Sequence, residues 1–206
     1  MKLGEISTIE TGLILSRKRA RNKFEVVERY KVLSLNNIEA HGDFNETTLE
    51  TFASNDRLED RYFTKVGDIL LRLNEPYTAV YIQEHHAGVL IPSYFVAIKM
   101  TSNDFLPEYV SWYLNTDRVK RHFLRLQSGT KTPNINQKLL RDLDIPHLSL
   151  TEQQQITKLH QLYLKERRLL GRLMQEKDTY YRGITNYLIK EKLGEYDNGK
   201  NDTGKN

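Results

Sequence analysis

From Thr151 to about Leu193 the apolar residues step by three and four: Ile156, Leu159, Tyr163, Leu170, Leu173, Tyr180, Ile184 and Tyr187. That is the period of one face of a helix. Leu162, Leu169 and Leu188 widen the stripe, and Glu166 and Lys177 interrupt it. Thr151, with Gln154 three residues on, has the capping-box pattern of a helix start. Gly171 and Gly183 are interior, and no Pro or helix-ending Gly intervenes before Gly194. At about 1.5 Å per residue the span is about 65 Å long. A stripe of that length outruns what one small domain can cover, so it predicts pairing with another helix.

Upstream the period changes. Lys2 to Ile9 alternates weakly and predicts a first strand ending near Thr11-Gly12. Tyr30 to Leu35 reads as a strand, and residues 36–61 as polar and irregular, with a turn at His41-Gly42-Asp43. Ile69 to Leu73 follows a Gly turn and predicts a buried strand. Ala79 to Ile82, Val89 to Ile91 and Tyr94 to Met100 are further runs of β-branched and aromatic residues. Leu106 to Leu126 returns to helical spacing through Val110, Tyr113, Leu114, Val119 and Phe123, with Pro107 suited to the first turn. Arg118, Lys120, Arg121 and Arg125 load its second half, as the helix dipole favours. Residues 128–136 are turn formers, and Gln137 to Arg141 predicts a short helix before Ile145-Pro146. The expected fold class is α+β: a mixed α/β head with a small twisted sheet over 1–150, then a long coiled-coil helix over 151–193. The tail 194–206, rich in Gly, Asn, Asp and Lys, predicts disorder.

Composition narrows the classes. A chain of 206 residues holds one domain with a core plus an extension. No apolar run reaches membrane-spanning length, and Met-Lys-Leu-Gly-Glu does not read as a signal peptide, so a soluble protein is expected. The absence of cysteine removes disulfides and thiolate metal sites and fits a cytoplasmic protein. The net charge of +4 is unevenly placed. Residues 151–193 carry nine Lys/Arg against five Asp/Glu, whereas 1–150 carry 20 against 19. Nucleic-acid affinity in the head must therefore come from local clusters.

One such cluster is Ser-Arg-Lys-Arg-Ala-Arg-Asn-Lys at 16–23, in which five of eight residues are cationic. It reads either as a solvated loop or as a phosphate clamp, and the near-neutral head favours the clamp. The candidate phosphate contacts are Arg17, Lys18, Arg19, Arg21, Lys23 and Lys131. The candidate base readers are Arg72, Asn74, Tyr77, Thr132, Asn134 and Asn136, for which plain turn chemistry is the competing reading. Enzyme signatures are weak. Asn74-Glu75-Pro76-Tyr77 resembles the Asn/Asp-Pro-Pro-Tyr motif of amino-methyltransferases, but Glu75 replaces a Pro and no glycine-rich methyl-donor loop accompanies it. His85-His86 is adjacent rather than spaced by four, with no third ligand evident, and reads as a surface pair. There is no phosphate-cradling lysine loop and no Gly-x-Ser-x-Gly elbow. Neither a metal, a cofactor nor a catalytic residue is expected.

Four stretches in order resemble the specificity subunits of type I restriction-modification systems. They are Lys2-Leu3-Gly4-Glu5-Ile6 with Gly12; Val66-Gly67-Asp68-Ile69-Leu70; Ser128-Gly129-Thr130 with Pro133-Asn134-Ile135; and Leu143-Asp144-Ile145-Pro146 with Leu150-Thr151-Glu152-Gln153 and Ile156. The resemblance implies a non-catalytic subunit whose target-recognition head reads double-stranded DNA. It implies a long helix that serves as spacer and as docking surface for the methyltransferase subunit and, where present, a restriction subunit. Such subunits usually carry two head-plus-helix units, with the helices paired antiparallel and each head reading half of a split target. One unit here implies an antiparallel homodimer, a partner half-subunit or a truncated gene. The dimer seam is then Ile156, Leu159, Tyr163, Leu170, Leu173, Tyr180, Ile184 and Tyr187, with Glu166 and Lys177 setting register. The alternative is a coiled-coil scaffold whose head binds protein rather than DNA.

Overall fold

The computed structural model describes residues 1–126 and 135–192. Its elements are α1 (Leu3–Ile6), β1 (Ser7–Thr11), β2 (Glu28–Val32), β3 (Glu50–Ser54), β4 (Ile69–Arg72), β5 (Ala79–Tyr81), β6 (Phe95–Met100), α2 (Pro107–Leu114), α3 (Asp117–Leu126), α4 (Gln137–Arg141) and α5 (Leu150–Lys192), joined by short 3-10 turns. The fold is mixed α+β, as the sequence predicts. Two units make it up, Met1–His160 and Gln161–Asn206.

In the first unit an antiparallel sheet runs β1-β6-β4-β5, and β2 and β3 form a separate hairpin. Alternation across β4 and β6 splits the core in two. Ile69, Leu71, Val96 and Ile98 face one cluster, shared with α1, α2, α3 and α4. Leu70, Phe95, Ala97 and Val80 face the other. Both faces of the sheet are covered, which is why these strands read as unbroken apolar runs. A third, smaller cluster of Leu13, Val32, Phe52 and Leu90 ties the hairpin to the sheet.

Several elements differ from the sequence expectation. Lys2 to Ile9 is not one strand: α1 precedes β1, because Leu3 N–H is taken by Leu143 O at 2.8 Å. β3 was hidden in a stretch that reads as irregular, since only Phe52 and Ser54 of its five residues are buried. Val89 to Ile91 forms isolated bridges to Val32 and Phe63 rather than a strand. The expected single helix over Leu106 to Leu126 is two, parted at Asn115. That side chain accepts from Ala79 N–H at 2.9 Å and donates to Ala79 O at 2.7 Å, and so pairs with the edge strand β5. The long helix starts at Leu150, one residue early. Its box is Ser149 with Glu152, each side chain bonding the other's backbone N–H (3.3 and 2.9 Å), rather than Thr151 with Gln154.

Two glycines are required by geometry. Gly12 lies against the carbonyls of Ile91 and Pro92, where any Cβ would clash. Gly67 turns the chain into β4 with φ at 89°, a conformation that side chains disfavour.

Candidate nucleic-acid interface

The basic tract leaves β1 and is stitched along the edge of β3. Ala20 N–H donates to Ala53 O at 3.0 Å, Asn55 N–H to Lys18 O at 2.9 Å, and Arg19 bridges Ser54. The five cations therefore sit on an ordered backbone but are not equivalent. Lys18 Nζ is 2.6 Å from Asp56 Oδ2, and this pairing raises the ammonium's pKa and lowers the carboxyl's. The Arg19 guanidinium lies over the Phe52 ring at 5.2 Å. Arg17, Arg21 and Lys23 are exposed and make no ion pair among the described residues. Beyond Arg21 a tight turn is closed by Asn22, whose side chain accepts from Phe24 and Glu25 N–H, while Glu25 takes Arg21 N–H at 2.9 Å. This turn holds Phe24 wholly in solvent, at 101% exposure.

A cleft of about 550 Å³ opens beside the tract, lined among others by Thr11, Arg17, Lys18, Arg61, Tyr62 and Ser93. Arg61 lies over the Tyr62 ring at 4.7 Å and pairs with Glu59, which raises its pKa. Sequence reasoning missed Arg61, Tyr62 and Phe24. For Phe24 a signal was there, an aromatic directly after a cationic run. For Arg61 and Tyr62 none was, since only the fold brings them to residue 17.

The Arg72–Tyr77 stretch is the β4-β5 turn. Arg72 Nε donates to Asn74 Oδ1 at 2.7 Å, and burial pushes the guanidinium's pKa down. Glu75–Pro76 is cis, and Tyr77 takes φ 52°. Tyr77 is only 1% exposed, set edge-on against Phe123 at 5.9 Å, so its ring is a core element and is not presented to a base. Asn136 caps α4 by accepting from Leu139 N–H at 2.9 Å. Ile135 N–H bonds Leu73 O at 2.9 Å, and Gln137 Nε2 donates to Thr11 Oγ1 at 2.8 Å. These bonds put Asn136 between the Arg72–Asn74 turn and the cleft. Lys131, Thr132 and Asn134 lie outside the described residues, as does the tail from 193 onward.

At the start of α5, Gln153 is fully buried. Its Oε1 accepts from Leu106 N–H at 2.8 Å, and its Nε2 donates to Asp104 O at 2.7 Å and Leu148 O at 2.9 Å. Ile156 packs against the first core cluster, so it belongs to the head. His160 is half-buried; burial first, then His41, lowers its pKa, while Asp43 opposes. The remaining seam residues are exposed: Leu159 at the end of the first unit, and Tyr163, Leu170, Leu173, Tyr180, Ile184 and Tyr187 in the second, up to 72% at Tyr180. Met174, Tyr181 and Ile189 extend that apolar surface. Glu166 and Lys177 are exposed, and neither makes an ion pair among the described residues. No helix of the described residues is long and apolar enough to cross a membrane.

His85-His86 is not a surface pair: His86 is buried, and Glu46 reaches both rings.

The head followed by one long helix is the fold of HsdS subunits of type I restriction-modification systems. Two solved structures carry this likeness. The HsdS subunit from Thermoanaerobacter tengcongensis superposes with a TM-score of 0.60 at 15% identity, over 99% of this chain and 50% of that one. A chain from a structural study of complex assembly and conformational transition of the type I restriction-modification system gives 0.57 at 16% identity, over 89% and 42%. The chain thus spans about half the length, or less, of the structures it matches. No protein-family model and no curated protein matches it.

Proposed function

We propose that this chain is a DNA-recognition subunit of a type I-like restriction-modification complex. Its head reads one half of a bipartite target. The long helix pairs with a second copy, or with another half-subunit, and docks a methyltransferase subunit and, where one exists, a restriction subunit. The chain itself performs no chemistry. The head-plus-helix fold shared over 99% of its length carries this reading.

The head's surface supports it. Phosphate contacts position a protein on a duplex, and base-edge contacts supply sequence. Arg17, Arg21 and Lys23 are the cations free to meet phosphates. Arg61 lines the cleft beside them, and Phe24 adds an apolar tip that can press on sugars or bases. Arg72, Asn74 and Asn136, with Lys131, Thr132 and Asn134, are the proposed polar readers. The domain plan is head to about 150, helix from 151 to 193, then the tail. A mobility shift with random duplex at low salt tests the reading: salt-sensitive binding is expected. A chain that leaves duplex DNA unbound at low salt would point instead to a scaffold whose head binds protein.

A further inference from the structure

We propose that Glu46, His85 and His86 form a site for one divalent cation of the zinc class, an ion that takes imidazole nitrogen together with carboxylate oxygen. The ligands come from two 3-10 turns far apart in sequence, Glu46–Thr48 and Glu84–His86. Glu46 Oε1 lies 3.2 Å from His86 Nε2 and 3.7 Å from His85 Nε2. One ligand atom from each residue falls within 4.8 Å of the other two. Ligands held about 2.0–2.1 Å from a tetrahedral ion stand about 3.3 Å apart. Two edges of the triangle are therefore near that length already.

The three residues differ in how firmly they are held. His86 is buried, its ring stacked on Phe44 at 4.2 Å, and its carbonyl takes the Thr64 hydroxyl at 2.7 Å. It is the fixed ligand. Glu46 and His85 are exposed, so they can close on an ion, and the open side leaves a fourth position for water. The two imidazoles lie 3.9 Å apart, centroid to centroid, and converge on one carboxylate oxygen. Two imidazoles and one carboxylate make a three-ligand set. An ion there would staple the segment around the Ile38–Phe44 bridge to the turn before Gly88. Its role is structural, and it stands apart from the DNA reading.

The test uses the untagged, chelator-treated full chain. Titration with Co²⁺, followed by its visible absorption, and with Zn²⁺ by calorimetry should show one ion per chain. Zn²⁺ should also raise the melting temperature. Glu46→Gln and His85→Gln alter exposed side chains. Each should weaken binding about tenfold or more and abolish the thermal shift, and excess Mg²⁺ should not compete. Absence of saturable binding would overturn the proposal. So would unchanged affinity in both variants, because the ion would then sit on other histidines.

Discussion

Gln153 shows what a single side chain does in this fold. Three hydrogen bonds join it to the backbone at Asp104, Leu106 and Leu148, with no exposure to water. Gln153→Ala leaves those groups without a partner, and a buried unsatisfied group costs about 1–3 kcal/mol. Urea unfolding of the variant should show a loss of at least that size. His160 carries a pH dependence. Its folded pKa lies below the ordinary 6.5, mainly through burial. The unfolded chain therefore binds the proton more readily, so the stability from this group is present above about pH 6.5 and is lost as pH falls through the folded pKa. Melting curves between pH 5 and 7.5 should show this loss, and His160→Gln should flatten it. The basic tract makes a graded prediction. Each phosphate contact contributes about 0.9 to the salt slope on duplex DNA. Arg17→Ala and Arg21→Ala should each reduce it by about that amount, and Lys18→Ala by less, since Asp56 already meets its charge. Phe24→Ala should lower affinity and leave the slope alone. Equal slopes for all four variants and the parent would remove the tract from the interface.

At the scale of elements, α5 dominates. Its 43 residues span about 65 Å, and beyond His160 its apolar stripe is exposed. Burying one Leu or Ile there gains about 1.5–3 kcal/mol, so burying several together would be enough to drive the proposed pairing. Glu166 and Lys177 are symmetric about a point between Gly171 and Arg172, as are Leu159 and Ile184. An antiparallel pair crossing there brings each Glu166 towards the partner helix's Lys177. Cysteines introduced by Leu159→Cys and Ile184→Cys should crosslink 159 to 184 between copies, whereas 159–159 crosslinks would mean a parallel pair. This helix was legible in the sequence because its period recurs for about forty residues despite the breaks at Glu166 and Lys177, and β4 and β6 were legible because both of their faces are buried. What escaped was decided by distant partners. The first turn is a helix on account of Leu143, and α2 and α3 part because Asn115 bonds Ala79. The candidate interface was legible only as composition. The tract at 16–23 stood out, but that Lys18 and Arg19 are engaged by Asp56 and Phe52 depends on the β2-β3 hairpin beneath them. Tyr77 read as a surface aromatic because nothing local marks the turn that folds it inward.

For the whole molecule, the proposed function gives the head the task of reading DNA and the helix that of spacing two heads. In the proposed antiparallel pair the two helix starts would lie at opposite ends. One turn of B-DNA is about 34–36 Å, so helices of this length suit half-sites one to two turns apart. Two identical heads related by a two-fold axis read an interrupted palindrome. Light scattering at micromolar concentration should show a dimer. The most direct test of the central claim maps methylated adenines on plasmid DNA incubated with a type I methyltransferase subunit, methyl donor and this chain. Methylation should fall on one interrupted palindrome and require both proteins. Adenine methylation that is the same with and without the chain, or methyl transfer by the chain alone, would contradict the account.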